Sequence, residues 1–304
     1  MEKVLVFQTR PGVGDMCIFL TYIRTIARYK KCEITLVTKK RTSARDLLYY
    51  DNVIKEVIYI DEKKSLKNKI KIFLYLKSKK FNSVFIYHYG IKFYILSKIL
   101  NIKNILFYGF LKKNVNIIQK AESATQDWLK LKNTKFKPEL KFEKVKNAKN
   151  NTIIIGIGGS GITKKWLIDN YIELMIKIIN QKKYNFIIAG GPEETQDAKK
   201  IIKYFEKNNN IQLTSLCNSS ILESIEKILY SSLYIGNDTG FMHISGCLGI
   251  KTYGLFGDTP PNYSDYNNNI IPILPKNSNS IGHDSLSMHL ITVEHVYNNI
   301  LLDI

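Results

Sequence analysis

The chain has 304 residues, 45% hydrophobic and 23% charged, an ordinary globular balance with length enough for two α/β domains, each with its own core. Lysines interrupt every apolar run before it reaches bilayer-spanning length, which excludes a transmembrane helix. The net charge of +19 comes from lysines spread along the whole chain with no Arg-rich block interleaved with aromatics, so no nucleic-acid partner is expected; overuse of Lys, Asn and Ile at exposed positions is read as its main cause, with weak attraction to an anionic membrane surface beside it.

Lys3 to Thr9 reads as a buried strand, and the N-terminus lacks a signal-peptide layout, which points to the cytoplasm. Arg10 to Asp15 (RPGVGD) is expected as a loop, followed by a helix from about Met16 to Tyr29 with Ile18, Tyr22 and Ile26 at helical spacing. This is a Rossmann-like opening, yet Cys17 stands where the dinucleotide fingerprint begun by Gly12 and Gly14 requires Gly or Ala. Asp15 has two readings. It is the N-cap of that helix, or a general base at the carboxyl end of the first strand, the edge where open α/β sheets place ligands. Strands Glu33–Thr38, Val53–Ile60, Ser83–Tyr87 and Asn104–Tyr108 then alternate with helices Leu66–Lys79 and Lys92–Leu100, the pattern of a parallel sheet covered on both faces. Arg10, Lys39, Lys40 and Arg41 fall at or just after strand ends, either as a solvated face or as anchors for a phosphorylated or acidic acceptor.

Lys141 to Asn151 is polar and unpatterned, the mark of a linker, which sets domains at 1–145 and 151–290 with a terminal helix in 291–304 that is expected to pack back on the first domain. The second series opens with a strand from Thr152 that runs into Gly158 to Trp166 (GGSGITKKW). A glycine turn lets backbone N–H groups approach an anion, and a nearby lysine adds a point charge, although the spacing is not that of a P-loop. On composition alone Lys164 is a surface lysine. Helix Leu167–Asn180 and strand Asn185–Ala189 lead to a turn at 190–194 (GGPEE), where Glu193 and Glu194 either begin a helix or accept from a pair of ribose hydroxyls. Helix Ile221–Tyr230 precedes a strand ending at Gly236, a polar turn Asn237 to Gly240, a helix from about Phe241 to Leu248 and a strand Thr252–Phe256. A strand entering a helix through such a turn aims unpaired N–H groups and the positive helix end at one point, a place for phosphate. Asp238 and Thr239 are also plausible helix caps, and His243 a satisfied core histidine. The loop from Asp258 to Tyr263 leaves the last of these strands. Cys17, Cys32, Cys217 and Cys247 are scattered and read as reduced and buried, and the absence of an Asp-x-Asp element or a His/Cys/carboxylate cluster at ligand spacing argues against a tightly bound metal.

Taken together, GNDTG at 236–240, His243 three residues beyond it, Leu-Phe-Gly at 255–257, the Gly14–Asp15 pair and Lys164 two positions before Trp166 closely resemble glycosyltransferase family nine, the bacterial heptosyltransferases. Thr21 and Leu167 stand where that family carries proline. The resemblance implies α/β GT-B architecture, two Rossmann-like domains with parallel sheets facing across a cleft, the first binding the acceptor and the second the nucleotide-sugar. It implies an inverting transferase, metal-independent or weakly metal-stimulated, with Asp15 as catalytic base. Thr163, Lys164, Asp238, Thr239, Gly240 and His243 would hold the donor diphosphate and sugar, and Glu194, with Glu193 close behind, the nucleoside. Arg10, Gly14, Lys39, Lys40 and Arg41 would hold the acceptor. The implied donor is ADP-heptose, and the implied acceptor is a glycan or glycolipid of the lipopolysaccharide core or another surface glycan, at the cytoplasmic face of the inner membrane. Hexose or amino-sugar transfer on the same fold is the alternative, followed by a non-catalytic basic nucleotide- or nucleic-acid-binding protein.

Overall fold

The structure is a computed structural model that describes residues 2–60, 65–109, 116–132, 134–142, 150–206, 211–276 and 281–304. It comprises two compact units, Met1–Phe142 and Glu143–Ile304. Most of the expected linker, residues 143–149, lies outside the described residues.

In the first unit β1 (Lys3–Gln8), α1 (Val13–Lys30), β2 (Glu33–Thr38), α2 (Ala44–Leu47), β3 (Ile54–Tyr59), α3 (Leu66–Lys79), β4 (Ser83–Tyr87), α4 (Lys92–Ile99), β5 (Asn104–Phe107) and α5 (Ile117–Leu129) follow in chain order. The five strands form one sheet in the order β3-β2-β1-β4-β5, and each neighbouring pair is parallel. Val4, Leu5, Val6 and Phe7 are all fully buried, as a strand with both faces covered must be. Leu5, Phe7, Val84 and Ile86 pack with Leu76 of α3 and Phe93 of α4 on one face. The alternate positions, Phe85 and Tyr87, face α1 and α5: Tyr87 meets Phe19 edge-on, its hydroxyl lies 2.6 Å from Thr125 Oγ1, and Phe85 meets Trp128.

The second unit runs β6 (Asn150–Gly156), α6 (Ile168–Gln181), β7 (Asn185–Ala189), α7 (Thr195–Phe205), β8 (Leu213–Ser215), α8 (Ile221–Ile228), β9 (Ser231–Asn237), α9 (Gly240–Cys247), β10 (Lys251–Leu255), β11 (Ile270–Ile273) and α10 (Val293–Ile300). Its sheet has the order β11-β10-β9-β6-β7-β8, again parallel throughout. At the centre Gly156 of β6 sits opposite Gly236 of β9. A Cβ on Gly236 would fall 2.4 Å from the Gly156 carbonyl oxygen, and one on Gly156 would fall 1.9 Å from the Tyr234 hydroxyl, so only glycine lets these strands carry Tyr234 between them. Val293, Val296 and Ile300 enter the core of the second unit with Tyr171 and Met175 of α6, because α10 carries its own apolar stripe and α6 supplies the matching one. Among the described residues no helix is long and apolar enough to cross a membrane.

Candidate active site

The sheet order of the second unit places β9, β6 and β7 side by side, so the loops that follow them leave one edge at the point where strand order reverses. The three loops meet at Gly158. A Cβ there would lie 3.6 Å from Gly190 Cα and 3.7 Å from both Glu194 Oε2 and Thr239 Cγ2. Asn237, fully buried at the end of β9, fastens them. Its Nδ2 donates to the carbonyls of Ile157 (3.1 Å) and Gly158 (2.9 Å), and its Oδ1 accepts from the Trp166 N–H (3.1 Å) and the Tyr171 hydroxyl (2.9 Å). Trp166 is held from its other end by donating Nε1–H to the Ile291 carbonyl at 2.7 Å. Asn237 stands in the sequence only as part of a polar turn, although a carboxamide closing an apolar strand is itself a signal of a buried polar junction.

The two lysines that precede Trp166 have different surroundings. Lys165 Nζ donates to Glu194 Oε1 at 2.6 Å, while Glu194 Oε2 accepts the Gly191 N–H at 2.7 Å. Glu194 is therefore buried and fixed at the meeting point of the loops. Glu193 is exposed, and with Asp197 it lines a cavity of about 360 Å³ bounded on the other side by Gly159, Gly161, Lys165 and Trp166. Lys164 lies instead among carboxylates. Burial pushes the Asp238 carboxyl up, but His243 and the charge of Lys164 outweigh burial and hold it below the usual carboxylate range. A hydrogen bond from Thr163 lowers Asp258 most, against burial, with the Leu286 N–H (2.9 Å to Oδ1) and Lys164 acting in the same direction. The charge of Lys164 thus acts on both Asp238 and Asp258, and Asp258, read in the sequence as part of a loop, is the partner of Thr163.

At the tip of α9 Thr239 is the N-cap residue and Gly240 the first helical residue, and no side chain makes a capping bond. Thr239 thus stands at the cap position, as one reading had it, but its hydroxyl makes no capping bond, and Asp238 is not the cap. The Thr239 hydroxyl lies 3.3 Å from that of Tyr234, and Asp238 Oδ1 lies 3.5 Å from His243 Nε2. His243 is buried, with Nδ1 3.0 Å from the Tyr266 hydroxyl, so its ring bridges Asp238 to the protein interior. With both side chains engaged elsewhere, the opening N–H groups of α9 receive no side-chain cap from its N-cap residue.

In the first unit α1 begins at Val13, earlier than expected. Gly12, at φ 121°, is its N-cap residue, so Gly14 and Asp15 lie in the first turn and Asp15 is not the cap. A Cβ on Gly12 would be strained by that φ and would sit 3.3 Å from Asp15 Oδ2. Arg10 Nε donates to Asp15 Oδ1 at 2.8 Å, and both side chains remain partly exposed. Around them lie groups that the sequence reading did not single out. Burial pushes the Tyr108 phenol up to about 12, with Arg10 opposing and Asp15 adding to the shift. Thr9 Oγ1 lies 2.7 Å from His88 Nδ1, and burial, then Lys92 and Lys39, lower the imidazole to about 4. Arg10, Gly14, Asp15 and Lys39 thus share the carboxyl edge of β1, β2 and β4, whereas Lys40 and Arg41 are exposed on the 3-10 turn Lys40–Thr42.

Solved structures similar to the chain extend over both units. The ADP-heptose LPS heptosyltransferase II of E. coli matches with a TM-score of 0.78 at 17% identity, covering 99% of each chain. The E. coli heptosyltransferase WaaC with ADP matches with a TM-score of 0.78 at 14% identity, covering 99% of this chain and 100% of that one. The fold is thereby defined as an α/β chain of GT-B architecture, two Rossmann-like units each built on a parallel sheet. A family model described as glycosyltransferase family 9 (heptosyltransferase) matches residues 100–286, and the chain belongs to that family. Among curated relatives, lipooligosaccharide heptosyltransferase 2 of Campylobacter jejuni subsp. jejuni is 30% identical over 132 residues, which are 42% of this chain and 41% of that protein. The matched stretch is thus under half of that relative's length.

Two outcomes test this geometry. Asn237→Asp keeps the shape but turns an oxygen toward the Ile157 and Gly158 carbonyls, and is expected to cost about 3 kcal/mol in chemical denaturation, the scale for a broken buried polar network. His88 is neutral in the folded chain down to about pH 4 but titrates near 6.5 when unfolded, so its contribution is complete above pH 6.5 and is lost as pH falls toward 4. His88→Gln should flatten the fall of Tm across that window, measured by circular dichroism against pH.

Proposed function

We propose that the chain is an inverting glycosyltransferase that moves a sugar, heptose from ADP-heptose as the leading donor, onto a hydroxyl of a lipopolysaccharide-core or other surface-glycan acceptor. The observation that carries this reading is the gathering of Lys164, Thr163 and the uncapped tip of α9 where three strand-end loops meet. It is supported by family membership and by related structures described with ADP and with ADP-2-deoxy-2-fluoro heptose.

In this mechanism Asp15 accepts the proton of the acceptor hydroxyl, with Arg10 orienting the carboxylate. The acceptor oxygen forms a bond to the anomeric carbon from the side opposite the nucleotide. The bond from that carbon to the diphosphate oxygen breaks, and the configuration inverts. Charge accumulates on the leaving diphosphate, where Lys164 and the N–H groups at Thr239 and Gly240 stabilise it by roughly 3–4 kcal/mol per key donor. Asp238 and His243 position the donor sugar. Glu194 accepts from the ribose hydroxyls with the lone pairs left by Lys165 and Gly191, and Glu193 flanks the nucleoside. Arg10, Gly14, Lys39, Lys40 and Arg41 hold an anionic acceptor. No tightly bound cofactor is required. A glycolipid acceptor places the protein at the cytoplasmic face of the inner membrane, in peripheral contact with it.

Asp15→Asn should lower kcat by about 10²–10⁴, the range for general-base catalysis, while leaving ADP affinity unchanged by calorimetry. Lys164→Ala should weaken ADP binding and turnover together. Near-normal turnover of Asp15→Asn would remove the base assignment. Absence of thermal stabilisation by either ADP or UDP would remove the donor site.

A further inference from the structure

The first unit carries a surface that the transfer reaction does not use. Along α3, Leu66, Ile70 and Leu74 recur every fourth residue and point outward, and along α4 Ile91, Ile95 and Ile99 do the same, with exposures from 48% for Ile95 to 73% for Leu66. The inward positions of these helices, among them Ile72, Phe73 and Leu76 on α3 and Phe93 and Leu96 on α4, pack on one face of the sheet. Both helices also line a single cavity of about 380 Å³ with Lys39, Lys69 and Lys92 among its walls. Two helices in one layer over one sheet face turn their outer sides the same way, so the two apolar ridges run on a common surface. Among the described residues of the second unit, no α-helix carries a series of large exposed apolar residues; Ile162, Leu286 and Leu302 lie on 3-10 turns and loops.

The charge around the ridges selects the occupant. No Asp or Glu occurs between Glu62 and Glu122, while lysines recur through α3 and α4, including Lys67, Lys71, Lys77 and Lys98. Lysine is depleted in protein–protein interfaces, where its charge must be desolvated. It is enriched beside the apolar face of helices that lie in a membrane interface, where its stem covers apolar surface and its ammonium reaches anionic headgroups. We infer that the α3–α4 surface of the first unit docks flat on an anionic bilayer, the two ridges entering the headgroup boundary and the lysines pairing with lipid phosphates. This names the face for the membrane contact proposed above and rests on it for its location, but its evidence is separate from the transfer site.

Flotation of the full chain with vesicles tests it. The protein should float with mixed phosphatidylcholine–phosphatidylglycerol vesicles, release as salt rises, and stay behind with phosphatidylcholine alone. The combined variant Leu66→Ser, Ile70→Ser, Leu74→Ser changes only exposed positions and should lose about tenfold or more in vesicle partitioning while keeping ADP affinity. The lysine variant Lys67→Gln, Lys71→Gln, Lys98→Gln should lose binding to anionic vesicles with the ridges intact. Failure of the wild type to float with anionic vesicles would overturn the inference. So would undiminished flotation of the serine variant, or a shift of that variant from dimer to monomer in gel filtration, which would mark the surface as a contact between copies. None of these readouts depends on transfer, so the docking surface and the reaction fail or stand separately.

Discussion

The second unit depends on one buried carboxamide. Asn237 has two N–H donors and one oxygen with two acceptor sites, and all of this capacity is spent on the glycine loop after β6 and on Trp166 and Tyr171. A glycine-rich loop costs much conformational entropy to order. Here the ordering is done by two hydrogen bonds to carbonyls in a low-dielectric interior, where leaving such groups unsatisfied is expensive. The paired glycines Gly156 and Gly236 allow the close approach that puts Asn237 within reach, and Tyr234 fills the space they leave, its hydroxyl donating to the Asn237 carbonyl at 3.1 Å.

The same framework sorts two neighbouring lysines into different tasks. Lys165 is consumed by Glu194, which braces the loop after β7 against the loop after β6. Lys164, one residue away, forms no ion pair within 4.0 Å among the described residues, yet its charge reaches Asp238 and Asp258. In the proposed reaction, an ammonium near two carboxylates but paired with neither would keep its donors available to the leaving diphosphate. The first unit uses a related device. Arg10 orients Asp15 at the start of α1, and Gly12, through its positive φ, turns the chain so that this carboxylate lies at the sheet edge.

Most of the architecture was legible because its periods were clean. The bounds of β2, α3, β4 and β7 agree with those expected, since each is a run of apolar residues, or an apolar period, closed by polar residues. Helices α2 and α5 were not anticipated, and α7 only as one of the two readings of Glu193 and Glu194: α2 is a single turn, the inward stripe of α5 includes Thr125, and α7 buries only Ala198, Ile201 and Phe205 among many charged and polar positions. The start of α1 was placed too late because Gly12 and Gly14 both read as loop, whereas only Gly12 has positive φ and Gly14 is helical. The motif residues at 236–240 could be seen as a unit, but not the work of Asn237, whose carbonyl partners lie about 80 residues earlier in the chain. Asp258 and His88 were hidden for the same reason, since what makes them matter is a neighbour distant in sequence: the Leu286 N–H for one, the Thr9 hydroxyl for the other.

The organisation of the first unit ties its outer surface to its sheet edge by a short path. His88 leaves the end of β4 on the edge that carries Thr9, Arg10 and Asp15, and the first residue of the α4 ridge, Ile91, comes three positions later. The side chain of Phe93 stacks on Phe7 of β1 and meets His88 edge-on, so α4 is locked to the same strands that present Asp15. A helix seated in a bilayer through Ile91, Ile95 and Ile99 would therefore fix the height of that edge above the lipid through rigid packing, without a flexible connection. For an acceptor anchored in the same bilayer, encounter is then confined to a layer close to the membrane surface, and part of the translational freedom lost on binding has already been given up by both partners. The basic, carboxylate-free span from Lys63 to Ala121 has a physical role in such an arrangement that composition alone does not give it: it sets the orientation in which the edge bearing Asp15 meets its acceptor.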